Sequence, residues 1–188
     1  MRKLTYFVAT TLDGFISGPD HEMDFFPMQG EHITALTEEY PETVPTHVRP
    51  LLGVPVDAPN HRFDTVVMGR GTYEPALAHG ITSPYSHLRQ IVFSRSLSPT
   101  PGVEILASDP VAAVRELKAE PGSGIWLCGG GQLAGHLRSE IDELVLKVNP
   151  VVCGSGTPVF TGDFRPESFA LQAVRHFHTG VVWLHYTR

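Results

Sequence analysis

The residues best suited to chemistry gather where short apolar runs give way to glycine. Ile125-Trp126-Leu127-Cys128 runs into Gly129-Gly130-Gly131 and continues as Gln132-Leu133. Three successive glycines let a backbone approach a ligand without interference from Cβ atoms. A helix starting there would turn free N–H groups and its positive end toward a pyrophosphate. Short glycine motifs also occur as plain turns, so the triplet alone leaves both readings open. The run Thr65-Val66-Val67-Met68 leads in the same way into Gly69-Arg70-Gly71-Thr72-Tyr73-Glu74. Here Arg70 adds a forked cation suited to phosphate, and Thr72 adds a hydroxyl. A third run, Gln90 to Phe93, ends in Ser94-Arg95. A single arginine is most often a solvated surface residue. Three such strand ends in one sheet would together hold both ends of one dinucleotide.

Other reactive side chains carry less. His176 and His178 alternate along one run and would face the same side of a strand, but no third metal ligand accompanies them. No metal site is expected. Cys128 reads as a small buried hydrophobe, and Cys153 sits in a Gly-rich loop with no base nearby.

The elements that must position these residues alternate in type. Leu4 to Thr10 is apolar and β-branched, which predicts a buried strand. Strands are also expected at 65–68, 90–93, 103–107, 124–128 and 143–148. Helices are expected to open at Gly69, to run from Asp109-Pro110 to Lys118 with Asp109 as cap, and to follow the glycines to about Ser139. The chain closes in a hairpin with arms 170–178 and 181–186, turning at Thr179-Gly180. Residues 21–62 hold six prolines and show no clear period beyond a short helix near Glu31 to Tyr40. They read as a long excursion. The pattern predicts an α/β fold: one domain over 1–188, with a mostly parallel central sheet and helices on both faces.

Bulk properties narrow the class. The 188 residues carry 14 Lys plus Arg against 20 Asp plus Glu, a formal charge of −6, which argues against nucleic acid as a partner. Two cysteines fit a reducing, cytoplasmic setting. No signal peptide and no membrane-spanning run is expected.

The segments VATTLDGFISGPD, VVMGRGTYE, IVFSRSL, IWLCGGGQL and NPVVCGSGTPVF resemble, in this order, those of dihydrofolate reductase-like proteins. They are most similar to the branch related to the riboflavin biosynthesis pyrimidine reductase (RibD C-terminal) domain. The resemblance spans nearly the whole chain outside 21–62. It implies a three-layer dihydrofolate reductase-like fold with an eight-stranded sheet, and a homodimer. It implies that Gly129, Gly130 and Gly131, with Gln132 and Leu133 following, hold the pyrophosphate of NADPH. Gly69, Arg70, Thr72, Ser94 and Arg95 would hold the adenosine side, and Ala9, Asp13, Gly14 and Ile16 would border the nicotinamide and a small-molecule substrate. Asp13 is then the candidate catalytic group, orienting a substrate amide or relaying a proton; alternatively it is an Asp-Gly turn residue that holds its loop. No acid aligns with the one that protonates pterin, and Asp24 does not supply it. The implied activity is hydride transfer from NADPH to a small heterocyclic or ribose-derived substrate. The alternatives are reduction of 5-amino-6-(5-phosphoribosylamino)uracil, with His61 and Arg62 as candidates for its phosphate, and a nucleotide-binding module without turnover.

Overall fold

The computed structural model describes residues 1–188. The strands are β1 (Leu4–Thr10), β2 (Phe15–Ser17), β3 (Phe63–Gly69), β4 (Arg89–Phe93), β5 (Glu104–Leu106), β6 (Gly124–Leu127), β7 (Glu143–Val148), β8 (Thr157–Pro158), β9 (Ala170–His176) and β10 (Val182–Thr187). The helices are α1 (Glu31–Glu39), α2 (Arg70–Ala78), α3 (Pro110–Ala119) and α4 (Gly131–His136). Eight strands form one sheet in the order β5-β4-β3-β6-β1-β7-β10-β9. The six from β5 to β7 are parallel, and β10 and β9 close it as an antiparallel hairpin. This is the three-layer α/β architecture expected.

Alternation along the strands divides the core. Leu4, Tyr6 and Val8 of β1 face α3 and α4 together with Ile125, Leu127 and Leu144. Phe7, Trp126, Val145 and Trp183 face the other way, onto α1 and α2. Asp109 caps α3 with its carboxylate, accepting from the Val111 and Ala112 N–H groups. The hairpin turns as expected, with Gly180 at φ +82°, the left-handed value a tight turn demands.

Two features depart from expectation. A second, two-stranded sheet joins β2 to β8, tying the loop after β1 to the loop after β7. Helix α4 stops at His136, and a 3₁₀ turn at Arg138–Glu140 follows. Gly135 lets this helix pack closely: a Cβ there would overlap the Thr161 carbonyl, so α4 is pressed onto the segment after β8.

The excursion at 21–62 is ordered from within. Glu42 is fully buried, and its Oε1 accepts from the Arg62 and Phe63 N–H groups at 2.6 and 2.9 Å. Arg49, equally buried, donates to the carbonyls of Val56 at 2.9 Å and Pro41 at 3.2 Å. Burial pushes its pKa down, and Glu42 opposes that. His87 lies next to the Glu42 carbonyl at 2.8 Å. These side chains bond backbone groups of the excursion and its borders, among them the Pro41 carbonyl, which also accepts from the Val44 N–H at 3.2 Å.

Candidate functional site

Because β4, β3, β6 and β1 are adjacent and parallel, their carboxyl ends share one edge. Gly69 lies opposite Phe93, Leu127 lies opposite both Val67 and Tyr6, and the residues that follow emerge side by side. Ser94-Arg95, Gly69-Arg70-Thr72, Gly129 to Leu133 and the Ala9–Ile16 segment therefore follow the strands at one edge of the sheet. Ligands of open parallel sheets sit in the crevice beyond such an edge.

Gly129 and Gly130 have φ of +63° and +78°. A Cβ on either would come within 3.4 or 3.3 Å of the Thr72 Oγ1. The two glycines and Thr72 thus form a cradle that a side chain would fill. Neither glycine N–H is bonded within the protein, and amides in such a turn favour an anion. Gly131 has a different part. A Cβ there would overlap the Pro158 carbonyl, and its own carbonyl accepts from the Thr161 N–H at 2.9 Å. Leu133 and Ile16 belong to the core, so both support the crevice by packing. The Gln132 carbonyl lies 2.9 Å from the His136 Nδ1.

The two arginines differ. Arg70 pairs with Glu74 one helical turn on, at 3.6 Å, and donates to the Ser96 hydroxyl at 3.1 Å. Arg95 is exposed and has no such partner. The Ser94 Oγ accepts from the Ser96 and Leu97 N–H groups at 3.2 and 3.1 Å, which fixes the turn carrying Arg95.

Asp13 accepts from the Thr11 hydroxyl at 2.5 Å, from the Gly154 N–H at 2.7 Å and from the Cys153 N–H at 3.1 Å. The Thr11 hydroxyl first, then these amides, hold its carboxyl below the usual carboxylate range. An ionised carboxylate bound by three donors is a poor acid. It clasps the loop after β7 onto the loop after β1, beside β2 and β8. Ala9 is half-buried at the end of β1.

His61 and Arg62 sit on the wrong edge for a substrate in this crevice. They precede β3, so they lie at the amino ends of the strands. Arg62 stacks 4.5 Å from the Tyr40 ring centre and lines a cleft of about 900 Å³ with Arg2, Lys3 and Lys118. This large cleft is no better a site, because Arg2 pairs with Asp64, Lys3 with Glu143 and Lys118 with Asp142. Cys128 is buried, and burial pushes its thiol up to about 12, as a packing cysteine requires.

Sequence reasoning missed Lys147. It stands on β7 opposite Ala9, with its ammonium 4.3 Å from the Phe7 ring centre, and burial lowers it to about 8. The available signal was a lysine inside the apolar run Leu144-Val145-Leu146-Lys147-Val148. Asn149 was missed too; it is buried, and its side chain donates to the Thr10 and Lys147 carbonyls, joining the ends of β1 and β7.

Sheet order, closing hairpin and glycine-lined crevice define a dihydrofolate reductase-like α/β protein. Within that class the chain belongs to the RibD C-terminal domain family, whose model matches residues 2–184. It is 31% identical over 192 residues to the uncharacterized protein YwjB of Bacillus subtilis (strain 168), covering 100% of this chain and 98% of that one. A putative riboflavin biosynthesis protein from Shewanella sp. PV-4 has the same fold, with a TM-score of 0.72, 23% identity, and coverage of 100% and 99%. So does a diaminohydroxyphosphoribosylaminopyrimidine deaminase/5-amino-6-(5-phosphoribosylamino)uracil reductase from Thermotoga maritima, with a TM-score of 0.64 and 17% identity. That match covers 99% of this chain and 56% of the Thermotoga one. No helix is long and apolar enough to cross a membrane.

Proposed function

We propose that the protein is an NADPH-dependent reductase acting on a small heterocyclic or ribose-derived substrate. The observation that carries this reading is the cradle of Gly129, Gly130 and Thr72 on an edge that also presents Arg95. The glycine N–H groups would bind the pyrophosphate. Arg95, and Arg70 to the extent that Glu74 releases it, would hold the adenosine 2′-phosphate, with Ser94 and Gly69 shaping that end. Ala9 and Gly14 would border the nicotinamide, which supplies the hydride when bound. Asp13 would keep this border in place by holding the loop at Cys153 and Gly154, and act on substrate through position.

Reduction of 5-amino-6-(5-phosphoribosylamino)uracil is a second reading, favoured by the name of the Thermotoga neighbour. With His61 and Arg62 at the far edge, a phosphate on that substrate would need another partner.

Calorimetric titration with NADPH and NADH, followed by loss of reduced-nicotinamide absorbance with pyrimidine, pterin and quinone substrates, tests the reading. A charged hydrogen bond is worth roughly 1.5–3 kcal/mol, so NADPH should bind about tenfold to a hundredfold tighter than NADH. Equal affinities would remove the 2′-phosphate assignment. Binding without turnover across the panel would leave a nucleotide-binding module.

A further inference from the structure

Of the three lysines, two have counter-ions: Lys3 pairs with Glu143 and Lys118 with Asp142, each at 2.7 Å. Lys147 has neither an ion pair nor a hydrogen bond, only the face of the Phe7 ring. Its ladder partners are Ala9 on β1 and Trp183 on β10, so it stands on the α1 face, close to the carboxyl edge. Trp183 is 6% exposed, and its indole N–H has no acceptor. The ring contact does not replace the hydration a half-buried ammonium gives up. A half-buried cation near the carboxyl edge with no protein partner points to a ligand atom as its partner.

The surrounding groups supply no negative charge. On the β6 side, the Cys128 thiol is neutral, with the Tyr85 hydroxyl 3.9 Å from its sulfur. On α1, His32 lies between the Pro27 carbonyl and Thr179, and Glu39 is paired with Arg175. Arg175, 5.9 Å from the Trp183 ring centre, adds only positive charge. On the loop after β1, Asp13 is occupied by Thr11, Cys153 and Gly154.

We propose that Lys147 holds the electron-accepting group of the substrate and delivers the proton that completes its reduction. The proposal rests on the reductase reading above and names its acid. The substrate class is a heterocycle or sugar derivative with a C=N or C=O bond at the reacting carbon. As hydride from the reduced dinucleotide reaches that carbon, the π pair moves to the nitrogen or oxygen. That atom takes a proton from the Lys147 Nζ, and the neutral amine left behind regains a proton from water. A lysine held near 8 by burial is suited to give and recover a proton at neutral pH.

The test begins without turnover. Reductive methylation with ¹³C-formaldehyde labels three lysines, giving three side-chain signals besides the amino terminus. One signal should titrate near pH 8, vanish in Lys147→Arg, and shift when 5,6-diaminouracil is added to the NADPH-saturated protein. All three titrating in the ordinary lysine range, or a Lys147 signal unmoved by the uracil, would overturn the proposal. In the reduction assay, Lys147→Met should lower kcat by about 10²–10⁴-fold and remove the alkaline limb of the pH profile. Its NADPH affinity and urea midpoint should match the wild type. Lys147→Arg should restore substrate KM but not kcat. Wild-type kcat in Lys147→Met would overturn the proton role while leaving the dinucleotide site standing. Loss of NADPH binding already in the wild type would fell the underlying reading instead.

Discussion

The excursion at 21–62 and the carboxyl edge are both irregular in backbone, yet they dispose of their polar groups in opposite ways. The excursion turns them inward. Glu42 caps two backbone amides, Arg49 caps two carbonyls, and His87 meets a third carbonyl. The edge leaves the Gly129 and Gly130 amides and the Arg95 guanidinium without protein partners. Polar groups that are satisfied internally give order, whereas those left unsatisfied at a crevice mark where a ligand is to bind.

Breaking the inward set should produce the largest effect. Glu42→Ala strands the buried Phe63 N–H and the part-buried Arg62 N–H, at up to about 1–3 kcal/mol each, and leaves Arg49 uncompensated. We expect a loss of about 2–6 kcal/mol in urea unfolding. A midpoint equal to that of the wild type would mean that the excursion is ordered by something else. Gly130→Val should do the reverse. A β-branched residue at φ +78° costs about 1–3 kcal/mol of stability. The protein should stay folded by circular dichroism while dinucleotide binding by calorimetry is lost. Retained affinity would sink the cradle.

A finer contrast lies within the edge itself. Arg95→Ala should weaken NADPH about tenfold to a hundredfold and leave NADH nearly unchanged. Arg70→Ala should cost less, because Glu74 already engages that guanidinium. The reverse ranking in titrations would reassign the phosphate to Arg70. The smallest effect is expected at Asp13. Its folded pKa lies below its unfolded one, so its contribution is complete above the ordinary carboxylate range and fades as pH falls through the folded value. Amide signals of Cys153 and Gly154 should therefore move together in acid, and Asp13→Asn should shift them at neutral pH. Signals indifferent to both changes would show that the clasp holds nothing.

The alternating half of the chain was legible because its strands are apolar and bounded by glycine. β1 at Leu4–Thr10 and β7 at Glu143–Val148 fall where the sequence places them. The excursion was opaque because its order rests on Glu42, Arg49 and His87, which meet their partners across up to 45 residues and leave no local period. β2 and β8 were missed because strands of three and two residues have no alternation to read. In the site, the glycines and arginines were visible as strand-end residues. Separating Gly131, which packs on Pro158, from Gly129 and Gly130 needs the third dimension. Lys147 passed unnoticed because one charged residue does not disturb a strand pattern.

The position of β1 bears on how the chain is made. β1 leaves the ribosome before the other strands of its sheet and lies between β6 and β7, so neither edge of it finds its partner until residues 124–148 have been synthesised. At roughly 5–20 residues per second, that wait is on the order of 7–30 s. During it Leu4, Tyr6, Phe7 and Val8, all buried in the finished protein, have no sheet to join. An apolar edge exposed for that long invites aggregation, so β1 is the segment where a newly made chain would most depend on chaperone cover.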